Sequence, residues 1–217
     1  MRVDVHTLVF YFDVISPYAY LAFDALPRVL QGLSYQVRYQ PVLFGALLQH
    51  RGQLGPAEIP GKREWTYRQS LWLAKQQGLN MQLPAAHPFN PLALLRLATA
   101  CDVQGHPNRH VCEQLFKHVW HGGQDASDLA RLEQLQAALQ PARSPESQEV
   151  KDQLRMATQA AIDKGIFGVP TIEVQGELFW GQESLPMLRQ YLEADSWFAQ
   201  PSWQQATELP VGIQRKR

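Results

Sequence analysis

The residue best placed to do chemistry is Ser16, in the stretch Phe10-Tyr11-Phe12-Asp13-Val14-Ile15-Ser16-Pro17-Tyr18-Ala19-Tyr20-Leu21-Ala22. Ser16 is a good helix cap, and Pro17 suits the first helical position. A hydroxyl at a helix start can close the cap, or it can hold an anion, a thiolate included. On this segment alone the ordinary cap is the commoner explanation, because capping serines far outnumber catalytic ones. Asp13, beside the same turn, is equally readable as a supporting group or as a turn acid. His106 and His110 (i, i+4) and His118 and His121 (i, i+3) have spacings that would suit zinc on a helix, but no acidic or thiol side chain completes a convincing set, although Cys112 is near in sequence, so no metal is expected. Cys101 and Cys112 form no C-x-x-C pair, which excludes a dithiol redox centre and leaves two buried thiols as the expected reading.

Positioning Ser16 requires a strand before it and a helix after it. Thr7 to Phe12 is apolar and β-branched or aromatic, as a strand covered on both faces should be. Pro17 to Leu30 has helical periodicity with Pro27 inside it, where a kink is expected. Ser34 to Val42 alternates as a second strand, so strand–helix–strand implies a right-handed parallel crossover. From 44 to 163 the pattern is helix and loop: Phe44 to Gln49, a Gly- and Pro-rich loop from Arg51 to Gly61, Lys62 to Gln77, an extended Leu83 to Pro91, then Pro91 to Val103 capped by Asn90. Pro107 to Trp120, Ser127 to Leu139 and Ser144 to about Lys164 follow. Strands return at Thr171 to Val174 and Glu177 to Trp180, joined by a Gln175-Gly176 turn. A final amphipathic helix spans Gln182 to Leu192.

This order places an α/β, thioredoxin-like fold (βαβ then ββα) around a large all-helical insertion. The expected domains are 1–43 with 164–195, the insertion 44–163, and a C-terminal tail 196–217 whose Trp197, Phe198 and Trp203 would dock its first half. The terminal Arg215-Lys216-Arg217 reads as a frayed end.

At 217 residues the chain can bury about 70% of its unfolded surface. Lys+Arg and Asp+Glu number 20 each, so no net field favours nucleic acid. No apolar run is long enough to span a bilayer. The N-terminus runs into the first strand without a leader-like pattern, so a cytoplasmic location is expected.

Three motifs together, FYFDVISPYAYLA, Gly165-Ile166-Phe167-Gly168-Val169-Pro170-Thr171 and Glu177-Leu178-Phe179-Trp180-Gly181-Gln182-Glu183, resemble the 2-hydroxychromene-2-carboxylate isomerase family over residues 7 to 193. That family is akin to kappa-class glutathione transferases and DsbA-type oxidoreductases. The resemblance implies glutathione as cofactor, with Ser16 catalytic in place of a redox cysteine and a cis Val169-Pro170 bond whose backbone pairs with the ligand. It also implies glutathione contacts from Gln53 (where relatives usually have Asn), Lys62, Gln182 and Glu183. Ser184 stands where an arginine is typical. Gln69 and Trp72 fall where many isomerases show Asp and Arg, which bears on the substrate. Tyr18, Phe44, Asn90 and Trp180 are the expected substrate contacts.

In this reading Ser16 stabilises the thiolate, which adds reversibly to a double bond of a small aromatic carboxylate. A kappa-like transferase or peroxidase and a non-catalytic thioredoxin-fold binding protein are the alternatives. Neither a nucleic-acid nor a membrane partner is expected. Relatives are commonly homodimers, and no pattern in this sequence decides the subunit count.

Overall fold

The structure, a computed structural model, describes residues 5–213. Arg215-Lys216-Arg217 lie outside them. Strands β1 (His6–Phe12), β2 (Tyr35–Pro41), β3 (Thr171–Val174) and β4 (Glu177–Trp180) form one sheet in the order β2-β1-β3-β4. β2 runs parallel to β1, while β3 is antiparallel to both β1 and β4. In register, Phe10 faces Tyr39 on one side and Ile172 on the other.

The unbroken apolar run of β1 follows from its two covered faces. Leu8, Phe10 and Phe12 enter the main core, with Tyr20 and Phe23 of helix α1 (Pro17–Val29) and Phe116 of α5 (Arg109–Trp120). Val9 and Tyr11 enter a smaller core with Val42, Leu47, Ala161, Ile166 and Val169. Rings of Phe12, Tyr20 and Phe23 each lie 5.1–5.5 Å from that of Phe116, within the range of favourable aromatic pairs. Gln175 and Gly176 both have positive φ (52° and 89°), as a tight hairpin turn requires.

Between β2 and β3 lie α2 (Phe44–His50), α3 (Lys62–Gln77), α4 (Leu92–Ala100), α5, α6 (Leu129–Leu139) and α7 (Gln148–Asp163), with a 3₁₀ turn at Pro56–Glu58. After β4 a 3₁₀ turn, Gln182–Ser184, precedes α8 (Leu185–Leu192), so the expected single helix is split in two. The tail adds α9 (Pro201–Gln205), and Phe198 packs on Tyr191 with ring centroids 5.2 Å apart.

Several boundaries differ from expectation for local reasons. The α4 cap position is Pro91, although Asn90 Oδ1 still accepts the Leu92 N–H at 3.1 Å. Helix α7 starts at Gln148 because Ser147, not Ser144, accepts the Val150 N–H. Pro27 stays inside α1; it has no N–H to offer the Phe23 carbonyl, and the Arg109 guanidinium donates to that oxygen instead, both nitrogens at 3.2 Å.

Candidate functional site

Ser16 is the N-cap of α1. Its Oγ accepts the Ala19 N–H at 3.2 Å, and its hydroxyl donates to the Val169 carbonyl at 3.2 Å, across 153 residues of sequence. β1 and β3 bring the two together: both strands lead into or out of this point, and they pair at Tyr11 and Thr171. Ser16 and Val169 are each only 6% exposed.

The turn before Ser16 is held on three sides. Asp13, wholly buried, accepts the Ile15 N–H (3.0 Å) and the Phe44 N–H (2.9 Å). Trp120, also wholly buried, donates its indole N–H to the Val14 carbonyl at 2.9 Å. His87 Nε2 lies 2.8 Å from the Ile15 carbonyl. A carbonyl can only accept, so Nε2 carries the proton, and Nδ1 accepts from the Tyr67 hydroxyl at 2.8 Å. Burial holds His87 below the usual imidazole range, and the nearby Arg63 charge adds to this against the Ile15 bond. Phe44, Tyr67, His87 and Trp120 all come from between β2 and β3. Those elements therefore fix the backbone from which Ser16 projects.

Burial raises the Asp13 carboxyl to about 7, against the opposing effect of its two N–H bonds. A raised acid pKa means that folding takes up a proton between the ordinary carboxylate range and about pH 7. Stability from this group is therefore fullest at low pH. It falls as pH rises through that window, by at most about 1.4 kcal/mol per pH unit. Asp13→Asn removes that slope and leaves one N–H without an acceptor, at a cost of about 1–3 kcal/mol. The deficit of the variant in urea unfolding is expected to be larger at pH 5 than at pH 8; an equal deficit at both would contradict this assignment.

Opposite Ser16, the Val169-Pro170 peptide bond is cis, as is His87-Pro88. Thr171 Oγ1 donates to the Gly168 carbonyl at 2.7 Å, and Gly181 N donates to the Pro170 carbonyl at 2.9 Å. Gly168 has no spare room: a Cβ there would lie 2.6 Å from the Trp180 indole nitrogen. Trp180 and Phe167, 49% and 41% exposed, pair with centroids 4.8 Å apart. Gly181 (φ 91°, ψ 157°) occupies a region open essentially to glycine alone, and a Cβ on it would strike the Glu183 carboxylate at 2.6 Å.

The other expected contacts are distributed as follows. Tyr18 is half-buried and donates to Gln69 Oε1 at 2.7 Å. Burial raises its phenol; a Thr66 hydrogen bond opposes this and the Glu183 charge adds to it. Phe44 is half-buried in the smaller core. Glu183 is exposed and Gln182 half-buried, on the 3₁₀ turn that follows Gly181. Lys62 is exposed at the first position of α3, and Gln53 is exposed on the preceding loop. Among the described residues neither side chain hydrogen-bonds to the Ser16 cluster, and Asn90 is turned to its own helix start. Ser184 donates to the Gly181 carbonyl at 2.8 Å and so closes the turn on itself.

The cysteines take no part. Cys101 is half-buried at the end of α4 and Cys112 buried in α5, so they do not share a helix; both are unpaired, and only one is fully buried. Burial pushes the Cys101 thiol up to about 11 and Cys112 well above the ordinary range. His118 is buried against the Ala126 carbonyl (3.0 Å), and His121 meets the Tyr20 hydroxyl (2.6 Å). His106 precedes α5, so the i, i+4 pair is not on one helix. Among the described residues no group of three or more metal-ligating side chains could hold a metal ion, and no helix is long and apolar enough to cross a membrane.

A buried strand, a helix capped by Ser16 and a cis proline facing that cap meet at one point of a thioredoxin-like fold. Residues 7–193 match the DSBA-like thioredoxin domain, and the chain belongs to that family. It is 26% identical to 2-hydroxychromene-2-carboxylate isomerase of Sphingobium xenophagum, over 86% of this chain and 97% of the relative. It is 24% identical to human glutathione S-transferase kappa 1, over 88% and 92%. Among solved structures, a 2-hydroxychromene-2-carboxylate isomerase shares the fold with a TM-score of 0.72 at 21% identity, covering 94% of this chain and 100% of the other.

Proposed function

We propose that the protein is a glutathione-dependent isomerase acting on 2-hydroxychromene-2-carboxylate or a similar small aromatic carboxylate. The observation that carries this is the Ser16 hydroxyl at the head of α1, 3.2 Å from the Val169 carbonyl. The residues suit a peptidyl thiol. Ser16 can donate to a sulfur at the positive end of a 13-residue helix. The Val169 backbone offers strand-like pairing. Glu183 offers a carboxylate for an ammonium, and the exposed Lys62 a cation for a carboxylate.

When bound, glutathione supplies a sulfur nucleophile whose reversible addition to a conjugated double bond allows rotation about it. Ser16 keeps its own proton throughout and stabilises negative charge on the sulfur. Phe167 and Trp180 give an exposed aromatic surface beside Val169 for a flat ring, with Tyr18 and Phe44 as further apolar walls. The curated relatives support this class, and they equally include kappa-class transferases.

The test follows the absorbance of 2-hydroxychromene-2-carboxylate with and without glutathione, alongside a halogenated transferase substrate. Isomerisation that requires glutathione supports the reading. Turnover of the halogenated compound alone assigns a kappa-like transferase instead. No turnover together with no glutathione binding would leave a binding protein.

A further inference from the structure

We propose that Ser16 and the Val169 carbonyl form an exchange pair: the hydroxyl proton turns to a sulfur only when an N–H of the ligand replaces it on Val169 O. The inference rests on the glutathione reading above and adds a rule for which thiols the site activates.

A serine hydroxyl has one proton. Here that proton is donated to Val169 O at 3.2 Å, while the oxygen accepts the Ala19 N–H at 3.2 Å. The Ala19 bond fixes where the oxygen sits, so the free choice is the direction of the proton. In the arrangement seen, that choice is already made, and it is not toward a ligand.

Turning the proton to a sulfur strips Val169 O of its donor. Ser16 and Val169 are each only 6% exposed, so a sulfur seated on Ser16 covers most of the opening through which water could reach Val169 O, and an acceptor left unpaired there is disfavoured. The protein has few donors to substitute. Pro17 and Pro170, the neighbours of the pair, lack an N–H altogether. The Ile15 and Ser16 N–H groups are bonded to Asp13, and the Gly181 N–H to the Pro170 carbonyl. An anionic sulfur beside Ser16 would also face the negative end of the Val169 carbonyl, which repels it unless an N–H lies between them.

The replacement donor must therefore come with the thiol. An amide N–H on the thiol-bearing residue is such a donor. The site should then ionise thiols carried on a peptide backbone and leave simple thiols protonated even when they bind. In the exchange the thiol proton goes to water, Ser16 keeps its own, and one N–H···O bond replaces one O–H···O bond.

The test compares glutathione with its depsipeptide analogue, in which an ester replaces the γ-glutamyl–cysteinyl amide and only that N–H is lost. Thiolate absorbance near 240 nm is titrated against pH and read per bound ligand, with binding measured calorimetrically, so saturation is not required. Bound glutathione should ionise about one pH unit or more below the free thiol value near 8.5, and the bound analogue close to that value. Ser16→Ala should abolish the difference. Equal ionisation of the two ligands overturns the exchange and leaves the proposed function standing. Failure of glutathione itself to ionise on the native protein overturns both.

Discussion

Ser16→Ala is expected to lower glutathione-dependent turnover by on the order of 10²-fold, the usual cost of removing one donor aimed at developing negative charge. The substitution removes two bonds of known length, to the Ala19 N–H and to the Val169 carbonyl. Losing the cap costs about 1 kcal/mol, and leaving Val169 O unpaired adds about 1–3 kcal/mol. For a chain of this size that lowers the melting temperature by several degrees, at roughly 2–4 °C per kcal/mol. The fold should persist, because the core is untouched. Steady-state kinetics and a thermal melt separate the two effects. Turnover within a few-fold of native would remove Ser16 from the chemistry.

The second large effect is on stability. Trp120 is wholly buried in the main core and holds the Val14 carbonyl. Trp120→Ala should cost about 3–5 kcal/mol in urea unfolding. Trp120→Phe keeps one aromatic ring in the core and loses the indole N–H with part of the ring volume, so it weakens the hold on the turn with far less loss of packing. It should cost about 1–3 kcal/mol and lower turnover while glutathione affinity changes less. A Trp120→Phe variant with native kinetics would show that the turn does not depend on this contact.

The strands were legible because their signals are local: an apolar run, an alternation, and Gln175-Gly176 between two short β-rich segments. Ser16 was legible for the same reason, since a cap followed by proline is a local pattern. What holds the turn was not. His87 lies 72 residues from Ile15 and Trp120 lies 106 residues from Val14. Each sits in a stretch whose own pattern, a proline-rich loop or an amphipathic helix, gives no sign of its partner. Asp13 was visible as a turn acid, but its bond to the Phe44 N–H depends on the start of α2 returning to the same point. The misplaced start of α7 has the opposite cause: Ser144 and Ser147 are both good caps, and choosing between them depends on where the preceding chain leaves the body.

The central claim is that a hydroxyl at the head of α1 holds a borrowed sulfur as its anion. The most direct measurement is the pH titration of thiolate absorbance for glutathione bound to the native protein and to Ser16→Ala. The native complex should ionise about a unit or more lower than the variant complex. Superimposable curves, with glutathione bound to both, would contradict the claim.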